Sequence, residues 1–410
     1  MFVRSLRCKK RAITARTGDN EERKAMMNKI LKRAALVFFL FVAYAVVTAV
    51  LPYAFERKLS KEFTESVKVS DFYGDAPCID RVALVEAPIE SLGARMHLVA
   101  AARERLDVAY YAIEAGESTD YFLAAILDAA DRGVKVRLLF DGISNGLSGR
   151  NASAGNSIGC HPNVELRYYN PVKLLAPWTY NGRMHDKYMI IDDRLLLLGG
   201  RNIGDKYFGP ENFAQNLSID RDVLVFNTAE GTEDRGSALF SVRSYMDRIW
   251  SSASIKQYKM SLTEAGKAEG ERLRGLMRDA RARFPELFDN STDYYAQTVE
   301  ANKVTFFAND INITRKEPRI AYVLGELLRS AQKQVLLQSP YIVLDQRLET
   351  LFHDLGEKGV SFSLLTNSRG STPNLPAYAA YLGDRDQILA SGASVYEFQS
   401  QHAINAKTYL

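Results

Sequence analysis

Residues 130–141 are ADRGVKVRLLFD, and residues 356–367 are GEKGVSFSLLTN. Each stretch combines the end of a charged helix, a glycine that terminates it (Gly133 or Gly359), and a strand of apolar residues that runs into polar ones. The two stretches occupy the same position in two longer series of predicted elements. The sequence therefore predicts an internal duplication at low identity.

Predicted strands and helices alternate around both stretches, which favours an α/β layered fold. The predicted strands of the first half are 106–113, 134–140, 164–169, 188–191 and 195–198, with a helix at 118–131. Those of the second half are 334–338, 360–365 and 394–398, with a helix at 345–357 and one more strand beginning at 406. Residues 229–300 are polar and helix-rich, and they are predicted to connect the two halves.

Candidate catalytic residues lie in MHDKYMIID at residues 184–192 and in GGRN at 199–202, both of them after residues 130–141. His185 and Lys187 are two residues apart on a predicted strand, so both side chains point to one face. An imidazole beside an ammonium group suits nucleophilic attack on phosphorus, with a covalent phosphohistidine as the intermediate. Gly199 and Gly200 allow close backbone approach to a phosphate. Asn202 supplies amide donors, and Arg201 is a weaker candidate for phosphate binding.

This spacing resembles the HKD motif of the phospholipase D superfamily, and the resemblance covers roughly residues 75–410. Further stretches are similar to the bacterial cardiolipin synthase C-like branch. These are Gly199–Gly209, Tyr110-Tyr111, Asp141-Gly142, Tyr169-Asn170-Pro171, Ser339-Pro340-Tyr341 and Leu365–Ser368.

The resemblance implies two α-β-α sandwich domains, at 56–228 and 301–410, whose half-sites meet at one active centre. It implies a phosphohistidine on one histidine, proton transfer by the other, lysines and asparagines on the phosphate, and no metal or cofactor. In that branch a phosphatidyl group passes to the hydroxyl of a second lipid. The implied substrates are phosphatidylglycerol and a second phospholipid or polyol acceptor.

The second half-site departs from the motif. Lys407 aligns with the motif lysine, but Asn405 stands where the histidine is expected, and an asparagine cannot transfer protons at pH 7. His402 lies an odd number of residues from Lys407, so it faces the other side of a regular strand. We expect the second domain to be incomplete at its C-terminus and the chain to be inactive or impaired.

Five further acids and one asparagine are candidates for supporting roles. Asp192 is expected to orient the site, with a plain turn acid as the alternative. Asp220 and Asp222 begin a strand that lies near the site in the resembling family, and a charged strand edge is the alternative. The remaining candidates for indirect support are Asp141, Asn170 and Glu397.

Charge and hydropathy are uneven along the chain. Residues 1–33 hold eleven Lys or Arg and three acids, so the basic tail carries +8 and the remainder −4. Residues 34–51 are uncharged over 18 positions, long enough to cross a bilayer. The positive-inside rule predicts a single-pass protein of the bacterial inner membrane, with its N-terminus in the cytoplasm and the catalytic part outside. A cleavable signal peptide and a buried core helix are the alternatives.

Composition excludes several classes of protein. At 47% hydrophobic and 25% charged over 410 residues, the chain is neither disordered nor collagen-like, and it has room for two or three domains. Of its three cysteines, Cys78 and Cys160 lie in the exported part, where a disulfide or two separate thiols are the options. The cysteine spacing indicates no zinc site.

The sequence leaves three functions open. The first is phosphatidyl transfer. The second is phosphodiester hydrolysis on lipid or nucleic acid, although an acidic ectodomain is unsuited to nucleic acid, whose backbone attracts basic surfaces. The third is non-catalytic phospholipid binding at a degenerate site. The oligomeric state is not indicated.

Overall fold

A computed structural model describes residues 2–51, 55, 57–147, 149, 151–209, 216–229, 236–289 and 291–410, with the backbone only for 2–22 and 25. The chain forms two compact units. The first contains Met1–Glu56 with Lys173–Asn181, and the second contains Arg57–Val172 with Gly182–Leu410.

The first unit is dominated by helix α1 (Phe2–Val50), which includes the predicted basic tail and nearly all of the predicted membrane segment. Residues 2–50 contain no proline, and Pro52 follows the helix end, as expected for a residue that cannot continue a helix. Met26–Val50 is apolar and long enough to cross a membrane, and none of it is buried. An N-terminal apolar helix is thus confirmed, and it extends further towards the N-terminus than predicted.

The second unit contains the strands, which within the described residues form three sheets. In chain order they are β1 (Asp80–Val85), β2 (Arg105–Tyr110), β3 (Lys135–Asp141), β4 (Val164–Tyr169), β5 (Lys187–Ile191), β6 (Leu195–Gly199), β7 (Ser218–Ile219), β8 (Asp222–Asn227), β9 (Ile255–Gln257), β10 (Val299–Glu300), β11 (Gln334–Gln338), β12 (Ser361–Asn367), β13 (Ser394–Phe398), β14 (Ala403–Ile404) and β15 (Thr408–Tyr409). The sheet orders are β10-β1-β8-β6-β5-β2-β3-β4-β9, β13-β12-β11-β15 and β14-β7.

The helices of the second unit lie between and around these strands. They are α2 (Lys61–Ser66), α3 (Pro88–Ala101), α4 (Glu117–Asp131), α5 (Ala152–Gly159), α6 (Asp205–Phe208), α7 (Ala238–Trp250), α8 (Glu264–Arg283), α9 (Tyr294–Gln297), α10 (Arg319–Arg329), α11 (Gln346–Glu357) and α12 (Leu375–Ala390).

The large sheet has helices on both faces. Along β5, Met189 and Ile191 point into a core shared with α3, α4 and α8, whereas Tyr188 and Ile190 point into a second core shared with α7. This alternation follows from the two-residue period of a strand. The α/β prediction is confirmed, and the first half is an α-β-α sandwich.

The stretch 229–300 differs from the connector that the sequence predicts. It contributes α7 to one face of the large sheet and α8 to the other, and its short strands β9 and β10 form the two edges of that sheet. Leu273 and Met277 of α8 are buried against α4 and its neighbours. The apolar stripe of α8 is therefore part of the first core, although the helix surface is mostly charged.

Strand register supports the internal repeat. β2, β3 and β4 run parallel and β5 pairs antiparallel with β2; β11, β12 and β13 run parallel and β15 pairs antiparallel with β11. Gly133 and Gly359 both have positive φ, and the residue after each bonds back five residues to close the preceding helix. The four-stranded sheet buries one face against α10, α11 and α12, while Leu336 of β11 and Tyr396 of β13 are exposed.

Of the two options for Cys78 and Cys160, the structure has two separate thiols, because both cysteines are free. Cys78 lies just before β1, and Cys160 lies just before β4. β1 and β4 are six strand positions apart in the large sheet, which is roughly 29 Å at about 4.8 Å per position. A disulfide needs Cα atoms within about 7 Å of each other.

Candidate functional site

His185 and Lys187 lie where β5 begins, beside the end of β2. The Lys187 side chain is buried, and its Nζ lies 3.2 Å from His185 Nδ1 and 2.9 Å from the His185 carbonyl oxygen. The ring of Tyr111, which follows β2, lies 4.6 Å from the His185 ring and 5.3 Å from Lys187 Nζ. The predicted pairing of the imidazole with the ammonium group is therefore present.

Lys407 from the second repeat acts on the same two groups. Desolvation, together with the charges of Lys187 and Lys407, lowers the pKa of the His185 imidazole to about 4. Burial also lowers the pKa of Lys187 to about 8, with Lys407 contributing and the carboxylates of Asp186 and Asp220 opposing. The two halves thus meet at one centre, where a neutral imidazole stands among positive charges at pH 7.

Strand register gives Lys187 and Lys407 equivalent positions. Lys187 precedes Tyr188, which pairs with Ala109 of β2 in the first repeat. Lys407 precedes Thr408, which pairs with Gln338 of β11 in the second repeat. By the same alignment, Asn405 is the counterpart of His185.

Asp220 is the hydrogen-bond partner of Asn405. Asn405 Nδ2 donates to Asp220 Oδ2 at 2.5 Å, and the Asn405 backbone N–H donates to the Ile219 carbonyl at 2.7 Å. Burial raises the pKa of Asp220, against the hydrogen bonds from Asn405 and from the Arg221 backbone. His402 is used elsewhere, because its Nδ1 accepts from the Leu217 backbone N–H at 3.1 Å. The carboxylate thus faces the position where the motif histidine is expected.

Asp141 supports the site through the backbone. Its buried carboxylate accepts the Met184 N–H at 3.2 Å and pairs with Arg183 at 3.1 Å, which holds the residues just before His185. In the second repeat, Asn367 Oδ1 accepts the Ile404 N–H at 2.8 Å, one residue before Asn405.

Asn170 acts on the same segment, since its Nδ2 donates to the Gly182 carbonyl at 3.0 Å. It has a positive φ of 43°, a conformation that asparagine tolerates. Asp141 and Asn170 therefore position the chain that leads into His185.

Gly199 and Gly200 were predicted to admit a phosphate, but the space beside them is occupied by the protein itself. A Cβ at Gly199 would collide with the carboxylate of Asp222, and one at Gly200 would collide with the carboxylate of Asp220. The glycines are needed because two acids pack directly on this backbone. The substrate-binding role predicted for them is corrected to a packing role.

Arg201 is also not a substrate ligand, because it is fully buried. Its guanidinium donates to Asp222 at 2.8 Å and to the carbonyl groups of Val85, Glu86 and Asp220. Arg95 makes a bidentate pair with the same Asp222 at 3.0 and 3.1 Å. Burial alone would raise the pKa of Asp222, but the two guanidinium groups lower it. This network holds β8 against α3 and the loop after β6.

Asn202 keeps a free acceptor. Its Nδ2 donates to Tyr207 Oη at 3.0 Å, and its buried Oδ1 accepts no hydrogen bond from the described residues. Tyr188 pairs with Leu198, so the end of β6 lies beside the start of β5, where Lys187 is found. Asn202 comes three residues after the end of β6.

Asp192 and Glu397 are not brought to the site. Asp192 lies at the far end of β5, five residues from Lys187 or roughly 17 Å along a strand. Its carboxylate accepts the backbone N–H groups of Arg103, Glu104 and Arg105, so the turn-acid alternative is correct. Glu397 accepts instead from Tyr381 of α12 at 3.0 Å.

Several side chains at the site were not predicted to function there. Tyr111 was noted only as part of the family resemblance, although its place after a strand that pairs with β5 could have indicated it. Asp186, whose pKa burial raises, accepts from Tyr245 Oη at 3.0 Å. Among the described residues, no group of three or more His, Cys, Asp or Glu could hold a metal ion.

Comparisons with known proteins find a matching family model and several relatives. A family model described as "Cardiolipin synthase, PLD-like domain" matches residues 96–229. Cardiolipin synthase C of Escherichia coli (strain K12) is 27% identical over 346 residues, covering 77% of this chain and 68% of that protein. Cardiolipin synthase 1 of Bacillus anthracis is 22% identical over 349 residues, covering 83% of this chain and 60% of that protein.

A solved structure shares the fold. Phosphatidylserine synthase of Haemophilus influenzae Rd KW20 superposes with a TM-score of 0.56 at 13% identity, covering 86% of this chain and 80% of that one. The chain matches the model of a phospholipase D-like domain over residues 96–229, and its resemblance to the phospholipase D superfamily is confirmed. Within the superfamily, its similarity is to the cardiolipin synthase group.

Proposed function

We propose that this chain is a phospholipase D-type phosphatidyltransferase that acts through a phosphohistidine on His185. One observation carries the proposal. A neutral imidazole, with a pKa lowered to about 4, stands beside Lys187 and within the field of Lys407 from the other repeat. A neutral nucleophile among fixed positive charges suits attack on an anionic phosphodiester. Similarity to cardiolipin synthases supports phospholipid phosphatidyl transfer at the level of the family.

The proposed first step forms a bond between an unprotonated His185 nitrogen and phosphorus, and it breaks the bond from phosphorus to the leaving alkoxide. The alkoxide takes up one proton from solvent water, since Asn405 cannot supply one. In the second step the hydroxyl of an acceptor lipid or polyol gives its proton to solvent water and attacks phosphorus, and the bond between phosphorus and the His185 nitrogen breaks. In this proposal Lys187 and Lys407 hold the phosphate through their ammonium groups, and Asn202 Oδ1, which accepts no hydrogen bond from the described residues, accepts one from the acceptor hydroxyl.

The proposed weakness of this chain is proton transfer. Asn405 occupies the place that the resemblance assigns to the second histidine, and its amide neither gives nor takes a proton at pH 7. We expect the covalent step to be slow and turnover to be slower. The presence of Asn405 in place of a histidine also favours the second candidate function, which is phospholipid binding without catalysis.

The proposed substrates are phosphatidylglycerol and a second phospholipid or polyol. The proposed setting is the bacterial inner membrane, crossed once by Met26–Val50. By the positive-inside rule, the cationic residues before the uncharged stretch 34–51 support an N-terminus in the cytoplasm.

The test is intact-mass analysis of the full chain after brief incubation with phosphatidylglycerol vesicles. We expect a mass increase of one phosphatidyl group in the wild type and in His161→Gln, and none in His185→Gln. His161 is a matched control because it pairs with Asp131 away from the site. An equal adduct in all three proteins would contradict the mechanism. Vesicle binding without any adduct in the wild type would favour the binder.

Product analysis with added glycerol separates transfer from hydrolysis. A transferase makes the glycerol ester, whereas a hydrolase releases phosphatidic acid whether or not glycerol is present. Phosphatidic acid alone would replace the proposed transferase by a phosphodiesterase.

A further inference from the structure

The loop Lys173–Asn181, KLLAPWTYN, belongs to the same compact unit as the apolar helix α1. Two hydrogen bonds join it to the end of that helix. Tyr44 Oη donates to the Leu175 carbonyl at 3.1 Å, and Asn181 Nδ2 donates to the Ala49 carbonyl at 3.0 Å. At 1.5 Å per residue, these positions lie within about 9 Å of the helix end at Val50. The loop is therefore at the depth where a spanning helix leaves the hydrocarbon core.

The surface of this loop is apolar and ordered. Leu175 is 77% exposed, the highest value for any large hydrophobic side chain among the described residues, and Leu174 is 68% exposed. Trp178 is exposed beside them at 37%. Backbone hydrogen bonds from Ala176 to Lys173 and from Thr179 to Ala176 fold the segment into successive turns.

The charge of the loop also suits a lipid surface. It contains one cation, Lys173, and no acid. Aromatic residues with a polar atom, such as Trp178 and Tyr180, are enriched at membrane interfaces, and apolar side chains beside them enter the boundary of the acyl chains. Leu174 and Leu175 are exposed next to an apolar helix, and the acyl chains of a lipid leaflet match them in chemistry.

We propose that Lys173–Asn181 is an interfacial loop that inserts Leu174 and Leu175 into the leaflet at the C-terminal end of α1. His185 follows Asn181 by four residues in the sequence. The insertion would hold the nucleophile near lipid phosphodiesters and select substrates embedded in that leaflet over soluble ones. The inference rests on the membrane placement given under the proposed function, but not on turnover.

The test uses tryptophan fluorescence of the full chain in vesicles of phosphatidylglycerol and phosphatidylcholine. The phosphatidylcholine is brominated either near the carbonyl end or near the methyl end of its acyl chains. The chain has two tryptophans, and Trp250 is buried, so Trp178 is the one that lipid can reach. We expect quenching and a blue shift, strongest with bromines near the carbonyl end, and loss of both in Trp178→Phe.

Matched variants separate the possible outcomes. The double change Leu174→Ser with Leu175→Ser should reduce the quenching, whereas Leu375→Ser, at a 61% exposed leucine in α12, should leave it unchanged. A reporter in α1, Phe39→Trp on the Trp178→Phe background, shows whether the helix has inserted.

If the Phe39→Trp reporter is quenched and Trp178 is not, the loop proposal is overturned while the membrane placement stands. If neither is quenched, both are overturned. Neither result depends on phosphatidyl transfer, so a failure of the proposed catalytic function is detected separately by the adduct experiment.

Discussion

At the scale of single residues, the site depends on which groups are charged at a given pH. The pKa of His185 is lowered to about 4 and that of Lys187 to about 8. Between these values the imidazole is neutral and the Lys187 ammonium is intact, which is the combination that attack on a phosphodiester requires.

We therefore predict that the rate of adduct formation is level between about pH 4 and pH 8. It should fall below that range as His185 gains a proton, and above it as Lys187 loses one. The measurement is single-turnover formation of the covalent adduct across pH. Lys187→Arg should remove the alkaline decline, because a guanidinium stays charged, while keeping the acidic one. An acidic decline near pH 6.5 would contradict the lowered pKa of His185.

Asn405→His should restore proton transfer at the second half-site. Asp220 already accepts a hydrogen bond from this position, and a carboxylate beside an imidazole raises the imidazole pKa towards neutrality. We expect turnover of phosphatidylglycerol to rise by about 10²-fold, as is typical for a positioned acid or base. Adding Asp220→Asn should remove most of the gain. No gain in Asn405→His would mean that this residue does not limit the reaction.

At the scale of elements, the glycines at the end of β6 serve the close packing of two carboxylates against the backbone. Gly199 and Gly200 pack directly on the carboxylates of Asp222 and Asp220. Asp222 in turn ties β8 to α3 through Arg95. A single turn thus orders the buried acids on which the site depends.

Gly200→Ala is predicted to destabilise the fold by about 1–3 kcal/mol, since the added methyl group overpacks against Asp220. Gly383→Ala is the matched control, because Gly383 lies within α12 and a Cβ there meets nothing within 4 Å. That change should stabilise the helix by up to about 1 kcal/mol. Urea unfolding in detergent measures both, and a neutral Gly200→Ala would contradict the packing argument.

At the scale of the whole molecule, no disulfide joins the two cysteines whose side chains the structure describes. Cys78 lies just before β1 and Cys160 just before β4, two strands far apart in the large sheet, and both cysteines are free. Burial raises the pKa of the Cys160 thiol, whose Sγ donates to the Met260 carbonyl at 3.2 Å. We expect this environment to lower the reactivity of the Cys160 thiol in the native protein.

Peptide mapping of the denatured full chain should show both thiols alkylated without prior reduction. A reductant should not change the unfolding midpoint. A Cys78–Cys160 peptide that appears only under non-reducing conditions would contradict the free thiols.

The sequence by itself determined the local features of this protein. The spacing of apolar residues specified the central strands of both halves and the apolar part of α1. The two-residue period put His185 and Lys187 on one face, and the repeated helix–glycine–strand pattern indicated two copies. Local patterns sufficed here because each depends only on neighbouring residues and backbone geometry.

Only the tertiary structure decided which distant residues meet. It brought Lys407 to His185 across some 220 positions, set Asp220 against Asn405, turned Arg201 inwards, removed Asp192 from the site and showed that Gly199 and Gly200 make room for acids. Contacts between residues far apart in the chain depend on sheet order and on packing between layers, and no local spacing encodes either of them.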